Sequence, residues 1–308
     1  MTRAASVLTV LLVTAASLAI AQERAVEGLP DIIDGSGMVD FSKRPGFTVG
    51  SWVKYRTTGS SLQGHQDDYT VTLLVGGEEV FWGDPGVWIE TWVEKPGMHL
   101  TPIASLISYS AFGDTLASKR ILWFIRKTIH GLLPDGSPDI TLSTRGEAEL
   151  KLRKANWEKD EEIQTKIDTL EAGTATVPAG TFDVKRLRRV RGHAETAERG
   201  DSTVFYQRRY NQIFHLSDKV PITSLVKIEI DDTQEGKTWL AGQSDKRPLQ
   251  VLERAQGSTV LLEFGTGGLA PKLVPERSRK SIADRKLVEQ ALNMPMEPIV
   301  KPLTGGAR

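Results

Sequence analysis

The chain contains no cysteine, and that absence removes several chemistries at once. No disulfide framework, thiolate nucleophile or cysteine-based zinc site can be built from it. An excess of one charge is missing too. The 39 Lys and Arg residues stand against 39 Asp and Glu, which argues against a general polyanion binder and against nucleic acid as a partner. No Gly-x-Ser-x-Gly elbow occurs, so a hydrolase built on one is not expected. Gly265-Thr-Gly-Gly268 lacks the Lys-Ser/Thr of a phosphate loop and reads as a turn. The five histidines, His65, His99, His130, His193 and His215, form no ligand pair at helical or strand spacing. Each reads as a surface or edge-strand residue, and neither a metal nor another cofactor is expected. Internal repeats and low-complexity tracts are also absent.

The N-terminus carries a positive signal. Arg3 precedes an apolar run over residues 7–20, broken only by Thr9, Thr14 and Ser17, and Ala19-Ile20-Ala21 gives a small-x-small pattern before Gln22, Glu23 and Arg24. This predicts a secretory signal peptide over 1–21, cleaved after Ala21, and a periplasmic or secreted mature protein. The run is shorter than the ~18–20 residues that span hydrocarbon. No second stretch is apolar enough for a spanning helix, so no transmembrane segment is expected after cleavage. A bacterial lipid anchor needs a cysteine at the cleavage site and is not expected. The 287 residues that follow the cleavage site suffice to bury a full core without disulfides.

Residues 22–45 hold Gly28, Pro30, Gly35, Gly37 and Pro45 and read as an irregular leader. Residues 46–268 read as a single domain in which the dominant period is two, the signature of half-buried strands. Residues 47–55 alternate and carry aromatics. Residues 68–75 lead into Gly76-Gly77, a hairpin signal, then 79–82, then the turn Asp84-Pro85-Gly86 and a strand over 87–94. Further strands are expected at 103–112, 148–155, 162–176, 182–193, 204–216, 224–231, 249–254 and 258–264. Residues 116–133 fit both alternation and a helix face; β-branched and aromatic content favours a strand over 120–129. Short Gly-rich turns between consecutive strands make an antiparallel meander. Residues 269–308 form a Pro-punctuated tail. Within it 278–293 reads either as an amphipathic helix, with Ile282, Leu287, Val288 and Leu292 on one side, or as a mobile tail with transient structure.

Two local patterns bear on chemistry. On the strand 87–94, Trp88, Glu90 and Trp92 share a face, and Glu94 follows on it. Carboxylates beside aromatics occur in sugar-binding clefts, and equally on outward strand faces of mixed character. Asp231-Asp232 lacks the regular oxygen-ligand spacing of a calcium loop and reads as part of a polar hairpin turn. The basic run Lys185-Arg-Leu-Arg-Arg-Val-Arg191 is the other pattern. On a strand it places Lys185, Arg189 and Arg191 on one side and Arg186 and Arg188 on the other. Charge on both faces suits a protected edge strand, and Arg186, Arg188, Arg189 and Arg191 are the anion-binding candidates for phosphate or carboxylate groups. The acidic segment 158–162 could neutralise the run across a hairpin.

Four segments occur in order that resemble one known pattern: Gly50-Ser-Trp-Val-Lys-Tyr55, Val87-Trp-Ile-Glu90, Val177-Pro-Ala-Gly-Thr-Phe182, and Ser217-Asp-Lys-Val-Pro-Ile-Thr-Ser-Leu-Val-Lys227. Together they resemble bacterial periplasmic proteins of unknown function related to the Lol-type lipoprotein-carrier superfamily. That resemblance implies a mainly β (α+β) fold, a curved antiparallel sheet or incompletely closed β-barrel with one or a few helices. It also implies a hydrophobic concavity for a lipid or acyl chain, for which Trp52, Phe81, Trp88, Trp92, Trp123 and Phe124 are the lining candidates. The same aromatics would equally form an ordinary closed core. The expected function is therefore a non-catalytic, monomeric periplasmic binding or carrier protein for a lipid or lipidated partner. An envelope module with a filled core that binds a protein is the alternative, and a glycan hydrolase using Glu90 or Asp231 the third reading.

Overall fold

A computed structural model describes residue 40 and residues 47–61, 66–98, 100–113, 124–142, 164–240, 246 and 248–293. The expected signal peptide, the leader apart from Asp40, the strand expected at 148–155 and the acidic segment 158–162 lie outside the described residues.

Eleven strands follow one another among the described residues: β1 (Ser51–Ser61), β2 (Gln66–Phe81), β3 (Asp84–Glu94), β4 (Ile103–Ser108), β5 (Ile125–Leu132), β6 (Pro138–Leu142), β7 (Gln164–Val177), β8 (Gly180–Arg199), β9 (Ser202–Leu216), β10 (Leu225–Leu240) and β11 (Gln250–Thr266). Two 3-10 turns (Tyr109–Ala111 and Glu276–Ser278) and the helix α1 (Arg285–Leu292) complete the order. The strands form one antiparallel sheet in the order β6-β5-β4-β3-β2-β1-β11-β10-β9-β8-β7. Every strand lies beside its neighbour in sequence except at β6 and β7, which are the two edges, and β1 pairs with β11. This is the order of an up-and-down barrel opened at one seam. The sheet curls enough that Ala179, at the tip of the β7–β8 hairpin, donates its backbone N–H to the Leu261 carbonyl on β11 at 3.4 Å.

Alternation along the strands builds two apolar layers. Val87 and Ile89 of β3 and Ile107 of β4 join the larger layer, with Val53, Tyr55, Val71, Leu73, Phe182, Phe214 and Leu261. The chain itself covers this layer: the 217–224 loop contributes Val220 and Ile222, α1 contributes Val288 and Ala291, and Phe112 and Phe124 pack with them. Trp88 of β3, Leu106 of β4 and Ile129 of β5 point the other way. They form a second layer with Leu273 and Val274 of the C-terminal segment. Strands β3 and β4 are thus buried on both faces.

The 217–224 loop is held tightly. Tyr55 meets Thr223 Oγ1 at 2.5 Å and donates to the Leu225 carbonyl at 2.9 Å. Burial holds the Tyr55 phenol far above the usual tyrosine range. Asp40 reaches the same loop, donating its N–H to the Ile222 carbonyl and accepting from the Ser224 hydroxyl. Ile222 lies at φ 64°, a conformation that costs a β-branched residue about 1–3 kcal/mol.

Several boundaries differ from the sequence expectation. Gly76-Gly77 is no hairpin turn: β2 runs through it, with a register shift between Val75 and Gly77. The glycines serve close approach instead. A Cβ on Gly76 would sit 2.6 Å from Val274 Cγ2, and one on Gly77 would sit 1.7 Å from the Ser278 carbonyl oxygen. Asp231 and Asp232 lie inside β10, not in a turn, where the Arg254 guanidinium grips Asp231 at 3.0 Å through two nitrogens. The strands expected at 249–254 and 258–264 are one strand, β11. Its Gly257 faces Gly59, and a Cβ there would meet the Thr58 carbonyl at 2.6 Å. The strand expected at 103–112 ends at Ser108, whose side chain caps the following 3-10 turn. The strand favoured at 120–129 begins at Ile125 and runs to Leu132. The basic strand is not an edge: β8 pairs with β7 on one side and β9 on the other. In the tail, helix α1 is shorter than 278–293, and Val288 and Ala291 bury its apolar side.

Candidate ligand groove

Three acidic residues on β2 and β3 fasten the C-terminal segment across the sheet. Glu90 is fully buried and accepts the backbone N–H groups of Lys272, Leu273 and Val274 at 2.8, 3.0 and 3.2 Å. The Trp92 indole Nε1 donates to the same carboxylate at 2.6 Å. Glu79 accepts from the Trp88 indole at 3.1 Å, from the Ser278 hydroxyl at 2.9 Å and from Lys127. These donors hold the Glu79 carboxyl below the usual range although burial opposes them. Glu78 accepts from the Tyr109 hydroxyl at 2.5 Å and from the backbone N–H of Ile282, with Arg285 3.5 Å away. Buried carboxylates persist only with such donors, because an unpaired one would cost several kcal/mol.

Lys272 and Trp92, both held by Glu90, line a groove of about 860 Å³ near the start of β2 and the end of β3. Its apolar lining comes from Tyr69, Trp92, Met98, Leu100, Pro102 and Leu262. Charged side chains rim it. Arg56 is engaged by Asp68 through two hydrogen bonds of 2.8 and 2.7 Å, which hold the Asp68 carboxyl below its ordinary value. Glu94 of the lining pairs outward with Lys54 at 3.7 Å, which also reaches Glu263 at 4.0 Å. Lys272 lies differently, its ammonium 4.1 Å from the centre of the Trp92 ring. Such a cation–π contact contributes roughly 0.5–1 kcal/mol at an exposed site. The groove joins apolar walls to a nearly equal share of polar and charged groups, so both kinds of contact are open to a ligand there.

The structure distributes the expected cavity aromatics rather than gathering them. Phe124 is buried in the larger layer, and Trp88 in the opposite layer with Phe81 packed against it. Trp52 donates its indole N–H to the Gly267 carbonyl at 2.9 Å. Trp92 lines the groove, and Trp123 lies outside the described residues. Among the described residues Val220, Ile222, Val288 and Ala291 pack onto the sheet's larger apolar layer. Nor do the expected anion-binding residues make one array. Arg186 and Arg188 stand opposite His215 and Ile213 on one face, with Arg188 3.8 Å from Asp168. Arg189 points into the other face, is only 7% exposed, bonds Gln212 at 3.1 and 2.5 Å and lies over Phe214 at 4.8 Å. Arg191 pairs through its backbone with Tyr210, and its side chain lies outside what the structure describes. His215 is buried, not on the surface. Its Nε2 is 3.4 Å from Glu229 without an aligned hydrogen bond, and burial lowers its pKa. Glu90 faces the C-terminal segment instead of solvent. Met98, Leu100 and Lys272 carried no signal in the sequence: two sit in a turn and one in a Pro-punctuated tail, where no periodicity assigns a face.

Among the described residues no three metal-ligating side chains converge, and no helix is long and apolar enough to cross a membrane. No protein-family model and no curated protein matches the chain. Among solved structures it is similar to a candidate lipoprotein from Parabacteroides distasonis, at 15% identity and a TM-score of 0.31, over 74% of this chain and 99% of that one. It is also similar to a candidate exported protein with a YmcC-like fold from Bacteroides fragilis, at 11% identity and a TM-score of 0.30, over 72% of this chain and 98% of that one.

Proposed function

We propose that the chain is a non-catalytic binding protein of the bacterial cell envelope that takes a lipid, or the acyl chain of a lipidated partner, in the groove beside Trp92. The observation that carries this reading is the contrast between the two candidate spaces. The sheet's larger apolar layer is covered by Val220, Ile222, Val288 and Ala291, whereas the groove is open and walled by Trp92, Met98, Leu100 and Leu262. An acyl chain needs apolar walls and an accessible mouth, and no reacting groups. Export to the periplasm or beyond belongs to the same reading and rests on residues 1–21.

Native mass spectrometry of protein purified from a bacterial periplasm, paired with uptake of a fluorescent fatty acid, tests it. Co-purified acyl lipid, and uptake reduced at least ten-fold by Met98→Asp, are the expected results. A clean apo mass together with no uptake would sink the proposal. A second reading has its own support: among the described residues β6 and β7 are the sheet's edges and carry the exposed Ile140, Leu142 and Ile167, and a strand edge can take an extended segment of a protein partner. A protein partner cross-linked to β6 or β7, lost on Ile167→Lys and unaffected by Met98→Asp, with no fatty-acid uptake, would favour it.

A further inference from the structure

Not all cations at the groove are equivalent. Arg56 is held by Asp68 through two hydrogen bonds, Lys95 of the same lining is engaged as well, and Lys54, just outside the lining, sits between Glu94 and Glu263. Lys272 has no carboxylate within ion-pair distance among the described residues and rests on the Trp92 ring. A cation–π contact uses none of the ammonium's hydrogen-bond donors, so all three remain for a ligand. The position of that ammonium is not left to a flexible chain. Glu90 holds the Lys272 backbone N–H through Oε1, and the same oxygen accepts from the Trp92 indole. One buried carboxylate therefore sets the lysine and the ring beneath it.

Resting on the proposal that the groove takes an amphiphile, we infer that it selects an anionic headgroup, a phosphate or carboxylate, which Lys272 meets. Glu90 is the positioning residue for both Lys272 and Trp92. The apolar walls take the chain and Lys272 takes the charge at the mouth.

Titration calorimetry on the chain beginning at Gln22 tests this with dodecyl phosphate, the uncharged dodecyl maltoside and inorganic phosphate, the amphiphiles kept below micelle formation. Dodecyl phosphate should bind about ten-fold tighter than dodecyl maltoside, the scale of one hydrogen bond to a charged group. Lys272→Met should erase that preference and leave dodecyl maltoside binding unchanged. The side chain is exposed, so this variant keeps its fold. Glu90→Gln should also reduce the preference, and should add nothing in the Lys272→Met background. A purely structural role for Glu90 would instead weaken both amphiphiles alike in either background. Equal affinities, or a preference that survives Lys272→Met, would overturn the headgroup inference while leaving the groove in place. No binding of either amphiphile would overturn the groove reading itself. Inorganic phosphate binding lost in Lys272→Met, with no gain from the dodecyl chain, would confirm Lys272 as the anion group and assign it to free phosphate instead of lipid.

Discussion

Glu90 and His215 are two buried polar side chains with opposite solutions to the same problem. Glu90 has four N–H donors around it. Removing the carboxylate would strand them away from water at about 1–3 kcal/mol for each that finds no new partner. Glu90→Ala should therefore lower the urea-unfolding free energy by about 3 kcal/mol or more; a loss below about 1 kcal/mol would mean that the C-terminal segment is held by its apolar contacts alone. The His215 ring nitrogens have no hydrogen-bond partner among the described residues, and burial depresses its pKa against the opposing pull of Glu229. Below about pH 6.5 the unfolded chain then takes up this proton before the folded one does. Its effect on stability is absent above that pH and becomes a loss as the pH falls toward the folded value. An NMR titration should place His215 below the ordinary histidine range, and a value above it would refute the assignment. Sequence alone could say that Glu90 shares a face with Trp88 and Trp92. It could not say that residues 272–274 lie on that face, because their partners are about 180 positions away in the chain.

At the scale of elements, the strands were readable wherever one face is buried and the other wet, as in β1 and β9, because alternation records that asymmetry. Legibility failed where a glycine or an acidic pair answers to tertiary contact. Gly76-Gly77 and Gly257 look like turns by composition, yet Gly77 and Gly257 mark close backbone approach and Gly76 makes room for the Val274 side chain. Asp231 looks like a turn residue because its partner Arg254 lies on another strand. The glycines make a direct prediction. Gly77→Ala would drive a methyl into the Ser278 carbonyl, and overpacking of this kind costs about 1–3 kcal/mol. Hydrogen exchange should show the loss of protection concentrated at residues 276–292, where α1 and the preceding 3-10 turn dock, and not spread across β8–β10. A uniform loss would contradict the local origin.

At the scale of the whole molecule, the second apolar layer exists only because the C-terminal segment covers it: Leu273 and Val274 sit on Trp88, Leu106 and Ile129. A chain ending at Gly268 should leave that face bare, bind a hydrophobic dye and sediment as aggregates, while a monodisperse truncated protein without dye binding would show that the layer does not need its cover. The strand order has a further consequence. Strands β1–β6 and β7–β11 are two contiguous halves, joined sideways by the β1–β11 ladder alone. The second half also supplies the 217–224 loop that engages Tyr55 and the segment that clasps β2 and β3. A break between β6 and β7 would separate no strand pairing among the described residues, so two separately made polypeptides, 22–142 and 164–308, should find each other and rebuild the sheet by complementation.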